Sequence, residues 1–434
     1  MLKNTIKIIL TLTLILFASQ NADADQPSVL QKLISDAEQN NLLIKAADER
    51  VKRAESSVLE AKGKMGPKIG LTAAATWGDE GLYLLVPGLT STALPVGFKN
   101  TYMTAIGFIQ TVYSGGSLYA NKQASEFASD AVKAERKRIE QSVRNSVRIA
   151  YYNRRRAIEK EKVASEALLL SKEHLKIAEK LYKAGVIAKG ATLRTKVAVA
   201  EAEMNLIKSK NGVELSIIAL ERIIGHEIDK EMLKNDTYMP VDPLFGVTPP
   251  NMIETAYKAR EELKMYSLLN KQANKIAKAV KGQSLPQIFA GGAFYSVDVD
   301  SNIIAKEDEW RVGLLAYWTL FDSGQIRAKT AQAKAQANEL LYKLEDMKNV
   351  IKMEVTQAEQ NINSAKRRYV VAQRRVAEAE EDYRIAVKRY EANVGTNLDM
   401  LDARLSLTNS KTDYIDSIYD IETATSELIY ATGE

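Results

Sequence analysis

The residues able to do chemistry in this chain are few and scattered. There is no cysteine, which excludes thiolate metal sites, disulfides and a lipid-bearing N-terminal cysteine. The two histidines, His174 and His226, are isolated. The first falls on a charged helix face and the second follows Gly225 at the start of a linker, so they make no metal site. No phosphate loop, nucleophile elbow or dinucleotide fingerprint occurs, so neither an enzyme nor a cofactor is expected. The run Lys366-Arg367-Arg368 and Arg374-Arg375, followed by Glu378, Glu380, Glu381 and Asp382, reads as a salt-bridged exposed face. A net charge of +5 over 434 residues, with both signs interleaved, gives no support to nucleic-acid binding. What remains is a pair of carboxylates, Asp399 and Asp402, spaced to share one helical face, with Tyr390 close by. Their use depends on the elements that hold them.

Those elements are duplicated. Tyr182 and Tyr390, Leu193 and Leu401, and Gly225 and Gly433 are each separated by 208 residues. A register held that far without a gap makes the two halves copies of one unit. Residues 1–24 stand apart: Lys3 and Lys7, an apolar stretch from Ile8 to Phe17, and Ala22-Asp23-Ala24 form a secretory signal peptide with its cleavage site. The expected organisation is a first repeat over 25–225, a linker over 226–249 and a second repeat over 250–434.

Each half is dominated by helix. Ala358, Ala365, Ala372, Ala379 and Ala386 recur every seventh residue, and Ile362, Tyr369, Val376, Tyr383 and Tyr390 follow each by four. This is a heptad seam pairing a small residue with a larger one. The first half keeps the small positions at Ala150, Ala157, Ala164, Ser171 and Ala178, but Arg154 and Glu161 break the larger series. Runs from Gly116 to about Lys183 and from Gly324 to about Glu391 predict helices roughly 100 Å long. Each turns through Ala184-Gly185-Val186 or Asn393-Val394-Gly395 into a second helix ending near Gly225 or Gly433. The fold class expected is mainly α with a small β part, built from long antiparallel helical hairpins.

Four strands are predicted, over 67–77, 101–113, 286–297 and 310–321, the last two flanking Asp298 to Glu309. In the fourth, Trp310, Val312, Leu314, Ala316, Trp318 and Leu320 face one way. Arg311, Gly313, Leu315, Tyr317 and Thr319 face the other. Periodicity alone fits a lipid-facing strand and a half-buried soluble strand equally well. No run after the signal peptide reaches the roughly 18 apolar residues of a membrane helix, so any membrane crossing falls to strands. Four strands cannot close a barrel, for which about eight is the minimum. Several chains must then share one.

The strand-to-helix sequence Leu320-Phe321-Asp322-Ser323-Gly324-Gln325-Ile326-Arg327 and the hairpin sequence from Arg389 to Ala403 resemble those of TolC-type outer-membrane efflux proteins. Tyr113-Ser114-Gly115-Gly116 and Leu181-Tyr182-Lys183-Ala184-Gly185-Val186 match more loosely. The resemblance covers essentially the whole chain after the signal peptide. It implies a homotrimer pooling four strands per chain into a twelve-stranded transmembrane β-barrel, with a trimeric α-barrel extending into the periplasm of a Gram-negative cell. It also implies partners: a periplasmic adaptor, an inner-membrane transporter that supplies the energy, and outer-membrane lipid. The implied function is the passive outer-membrane duct of a tripartite efflux or type I secretion system.

The same resemblance assigns a periplasmic gate to Tyr390, Asp399 and Asp402 and adaptor contact to the tip residues Gly185, Val186, Val394 and Gly395. Threefold symmetry would stack the two aspartates into two carboxylate rings. Where the best-known members carry a latching arginine this chain has Gly395, and the matching acid is Ala191. A differently closed entrance is therefore expected, with Lys189, Arg194 or Lys196 nearby. The alternative is an exported coiled-coil scaffold or adaptor without a pore, whose strands would form a soluble sandwich.

Overall fold

The computed structural model describes residues 28–78, 83–84, 94–95, 100–234, 236, 251–299 and 307–434. The signal peptide and much of the linker lie outside these. Two short helices, α1 (Val29–Asn40) and α2 (Leu42–Gly63), lead into β1 (Lys68–Trp77), β2 (Tyr83–Leu84), β3 (Leu94–Pro95) and β4 (Asn100–Ser114). The first hairpin is α3 (Ser117–Lys183) and α4 (Lys189–Ile224), followed by α5 (Lys230–Lys234). The second half repeats the plan with α6 (Met252–Ala259), α7 (Glu261–Gly282), β5 (Gln287–Val299), β6 (Glu307–Tyr317), α8 (Gln325–Glu391) and α9 (Asn397–Thr432). The starts and ends of α3 and α4 recur in α8 and α9 at an offset of 208 residues (325 − 117, 391 − 183, 397 − 189, 432 − 224).

The chain divides into two compact units that cut across the repeats. One holds residues up to Asp48, Arg136–Glu261 and Lys348–Glu434; the other holds Glu49–Glu135 and Glu262–Met347. In the first, Leu33, Ile44, Val147, Tyr151, Leu220 and Ile224 form a core among α1, α2, α3 and α4, joined by Tyr419 of α9. The alanine seam is buried at Ala358, Ala365, Ala372 and Ala379, with Ile362, Tyr369 and Tyr390 beside it. Small side chains at heptad spacing let the backbones approach. Both hairpins end at a left-handed glycine, Gly225 (φ 96) and Gly433 (φ 93), as a helix C-terminus favours.

Arg154, which breaks the larger series of the seam, is buried rather than solvated. Its guanidinium donates to the Leu233 carbonyl at 3.2 Å and faces Asp236 at 4.0 Å, so a buried ion pair ties the start of the linker to α3. The basic run on α8 is exposed and ion-paired, as expected, with partners that lie across the hairpin. Arg368 reaches Asp420 and Arg375 reaches Asp413, both on α9, because these acids stand across the hairpin within arm's length.

The second unit is built on a four-stranded antiparallel sheet in the order β1-β4-β5-β6. The central β4–β5 pairing joins the two halves. The fourth strand runs Glu307–Tyr317 rather than 310–321, and the third extends to Val299. Trp318 and Leu320 therefore lie beyond the strand; the Trp318 indole donates to the Ser284 carbonyl at 3.0 Å, a contact that pulls the chain out of the pleat.

Gly115 and Gly116 make the strand-to-helix turn with φ of 62° and 79°. The equivalents are Ser323 (φ 54) and Gly324 (φ 82), so left-handed backbone alone does not demand glycine at the first position. Crowding does: a Cβ on Gly115 would fall onto the Gly282 carbonyl, whereas one on Gly116 meets open space. Gly115→Ser is expected to cost roughly 2–4 kcal/mol through strain and collision. Ser323→Gly is expected to stay within about 1 kcal/mol. Chemical denaturation of the detergent-purified variants checks the contrast.

Candidate functional site

Two regions carry the functional candidates, the hairpin tips and the faces of the sheet. At the first tip the Gly185 amide donates to Tyr182 O and the Val186 amide to Leu181 O, each at 2.9 Å. The second tip repeats the pattern, Asn393 to Tyr390 O at 3.1 Å and Val394 to Arg389 O at 2.9 Å. Both are Schellman closures of the long helix. The left-handed residue is Gly185 (φ 75) in one and Asn393 (φ 57) in the other, so Gly395 is not the left-handed residue of its turn. Gly395 is needed for close approach instead: a Cβ there would stand 3.1 Å from Arg389 Cβ and 3.2 Å from Tyr390 N. The turns leave Val186 and Val394 projecting, Val394 with 68 % of its surface exposed.

Asp399 and Asp402 are both exposed on the first turns of α9. Asp399 also caps that helix. Its carboxylate accepts from the Thr396 amide at 3.0 Å, and its own amide donates to Thr396 Oγ1 at 3.1 Å, a capping box. These bonds, first the backbone one, hold its carboxyl below the ordinary aspartate value of 3.8. Its contribution is therefore present above that value and lost only as pH falls through the lower folded one. The equivalent helix α4 has Ala188 at its N-cap and so no side-chain cap bond.

Tyr390 is 3 % exposed and packs edge-on against His174, with ring centroids 5.2 Å apart. Within one chain its ring is thus seated in the packing. His174 is 1 % exposed, a correction to its expected place on a charged face: the imidazole turns into the contact made by α3, α8 and α9. Asn397 links the hairpins where an ionic latch is missing. Its side chain donates to the Ala191 carbonyl at 3.4 Å, and its Oδ1 stands 3.1 Å from the Thr195 hydroxyl. Lys196 is engaged within its own hairpin, 3.5 Å from Glu179. Further pairs join α3 to α9: Arg156 with Asp420 at 2.9 Å, Lys160 with Asp416 at 2.8 Å and Glu166 with Lys411 at 2.8 Å. Among the described residues no group of three metal-ligating side chains occurs.

The sheet settles what periodicity in one strand leaves open. The register aligns Leu71 with Ile106, Ile106 with Phe294 and Phe294 with Trp310. It likewise aligns Ile69 with Phe108, Phe108 with Gly292 and Gly292 with Val312. One face is therefore apolar across all four strands, and Ile69, Leu71, Trp310, Val312 and Leu314 on it are exposed. Trp77 and Tyr102 sit on the same face, the indole donating to the phenol at 3.2 Å. The opposite face is mixed: Ala105, Met103, Ile109 and Leu315 share it with Lys68, Thr72 and an Arg311–Glu309–Tyr295 cluster, in which Arg311 Nη2 stands 3.0 Å from Glu309 and the Tyr295 hydroxyl donates to that carboxylate at 2.7 Å. An exposed apolar face carrying aromatic residues, shared by all four strands, is what the lipid-facing side of a membrane barrel requires. No helix among the described residues is long and apolar enough to cross a membrane.

A family profile described as outer membrane efflux protein matches residues 33–226 and 252–434. The chain belongs to the outer membrane efflux protein family. Among curated proteins none is similar enough to match. Solved structures share the fold. The outer-membrane channel OprN is 19 % identical, with a TM-score of 0.80 over 93 % of this chain and 90 % of that one. The outer membrane protein VceC from Vibrio cholerae is 20 % identical, with a TM-score of 0.77 over 93 % and 96 %. The Campylobacter jejuni CmeC outer membrane channel is 18 % identical, with a TM-score of 0.79 over 93 % and 85 %.

This outer membrane efflux protein is a duct of the Gram-negative outer membrane extending into the periplasm. Its family is one of passive channels, and membership implies trimeric assembly and work alongside other components of an efflux pump. The soluble-scaffold alternative fails on the family match.

Proposed function

We propose that three copies of this outer membrane efflux protein close into one passive duct, narrowed at its periplasmic entrance by Tyr390, Asp399 and Asp402. The observation that carries this reading is the sheet. Among the described residues its outer strands β1 and β6 each have one paired neighbour, so both edges are open beside the apolar rows of Leu71 to Trp310 and Ile69 to Val312. Lipid does not tolerate such edges, and four strands are too few to close on themselves. Three copies supply twelve, and the helices that follow the strands extend the pore. The repeats 25–225 and 250–434, joined by 226–249, are two versions of a single unit that supplies two strands and one hairpin.

Asp399 and Asp402 then form two rings of three carboxylates at the narrow end, where they favour cations. Tyr390, seated against His174, backs these rings as an aromatic wall. The tips Gly185, Val186, Val394 and Gly395 receive a periplasmic adaptor, which joins the duct to an inner-membrane transporter that supplies the energy. Exposed valines at the ends of rigid hairpins offer apolar contact that the turn itself does not need.

Val186→Asp together with Val394→Asp tests the tip assignment. Heat-resistant trimers and bilayer conductance are expected to persist, while export by the assembled pump falls at least tenfold and the adaptor no longer cross-links to the tips. Full export with a cross-linked adaptor would refute adaptor contact at these residues.

A further inference from the structure

The imidazole of His174 is a buried titratable group that the gate and tip assignments do not use. It lies on α3 at the contact with α8 and α9, 1 % exposed, and neither ring nitrogen has a hydrogen-bond partner. Tyr390 covers one side at an interplanar angle of 86°. An imidazole left without a partner in such a place is stable only while neutral. We propose that His174 is a proton-sensitive lock on the seam between the two hairpins of each chain, neutral and tight at neutral pH, and forced open when protonated. This rests on the reading of the chain as a duct.

The surroundings of the ring favour that response. From α8 the titratable groups are Tyr390 and Tyr383, both neutral and both raised by burial. From α9 the Arg404 guanidinium repels a charged imidazole. The Asn397 side chain, the hydrogen-bonding neighbour of the ring, pulls the other way and is the smallest of the three influences. Glu201 of α4 acts on Arg404, and Glu173 of α3 acts on Tyr383. No carboxylate among the described groups acts on the ring itself. Burial first, then Arg404, push His174 down from 6.5 to about 4.

The sign follows. The seam is at full strength above the ordinary histidine value and loses strength as pH falls through the lowered one. Opening lets the ring meet water, so the closed-to-open ratio is expected to fall by on the order of 10–100-fold between pH 7.5 and 4.5.

Single-channel recording of the full-length protein in planar bilayers from pH 7.5 to 4.5 tests the lock. Wild type is expected to open as pH falls, whereas His174→Phe, which keeps a ring against Tyr390, gives a flat profile. His174→Gln serves as a second non-titrating variant should the first not assemble. In parallel, hydrogen exchange at the imidazole C2 position, read by mass spectrometry with His226 as internal reference, reports the protonation of His174 directly. A wild-type profile as flat as the variants, a variant that opens like wild type, or an ordinary His174 titration would overturn the lock. Absence of conductance at every pH would instead overturn the duct reading, with the exchange measurement still reporting on His174.

Discussion

Asp236→Ala is expected to destabilise the folded chain by roughly 3–5 kcal/mol, the cost of leaving a buried charge without its partner. The side chain of Asp236 is almost wholly enclosed, 4 % exposed. It accepts from the Tyr151 hydroxyl at 2.9 Å and faces Arg155 at 3.6 Å and Arg154 at 4.0 Å. Burial has already pushed the Arg154 guanidinium down from its ordinary value, and Asp236 is the group that opposes this. Without the acid, Arg154 stands buried beside Arg155, and among the described residues the Leu233 carbonyl is what accepts from it. The double variant Arg154→Met with Asp236→Leu separates charge from packing. It removes the Arg154–Asp236 pair together, while Arg155 keeps its bond to the backbone carbonyl of residue 236, so it is expected to recover part of the loss. Urea denaturation of single and double variants checks both numbers; a double variant no better than Asp236→Ala would show that shape, not charge, holds the linker.

Asp399→Asn with Asp402→Asn is expected to remove cation preference and weaken block by divalent cations at least tenfold. Six carboxylates would leave the entrance of a trimer, and closely spaced like charges are what draw a divalent ion into a narrow pore. The capping role of Asp399 complicates a simpler test, since truncation would fray α9 as well as discharge the ring. Asparagine avoids this: its amide oxygen still accepts from the Thr396 amide, so the 3.0 Å bond has a successor. Thr396→Ala is the converse control. It gives up the 3.1 Å bond to the Asp399 amide for about 1 kcal/mol of helix stability and keeps the charge, so divalent block is expected to persist. Unchanged block in the double asparagine variant would sink the gate assignment.

The parts of the molecule that were legible in sequence are those where one physical pattern repeats. The alanine seam from Ala358 to Ala379 lies buried because seven-residue spacing leaves a helix face only one way to turn. The bounds of α8 and α9 follow those of α3 and α4 because Gly225 and Gly433 stop both hairpins alike. Where the halves diverge, the pattern misleads. His174 corresponds to Asp382, which is exposed on α8, and the surrounding lysines and glutamates make a charged face the natural reading. Only the crossing of α3 by Tyr390 buries it, a contact between residues 216 apart (390 − 174) that no local period encodes.

Arg154 was visible as a break in the seam, yet its partner Asp236 comes from a linker with no period to read. The turns show the same limit on a smaller scale. Glycine is the default left-handed residue, but asparagine also adopts that conformation, and Asn393 does so in place of Gly395. The faces of the sheet were ambiguous strand by strand. Pairing Leu71, Ile106, Phe294 and Trp310 into one row required the register.

Since the chain has no native cysteine, paired substitutions along the open edges of β1 and β6 give a direct readout of assembly. A panel combining cysteines at Thr72, Ala74 or Thr76 with cysteines at Arg311, Gly313 or Leu315 covers the registers that two antiparallel edges from different copies could adopt. Oxidation of protein in isolated outer membranes is expected to give a covalent ladder that ends at the trimer and conducts in a planar bilayer. A ladder running past the trimer, or uncross-linked monomer recovered from the soluble periplasm, would contradict a barrel closed by three chains.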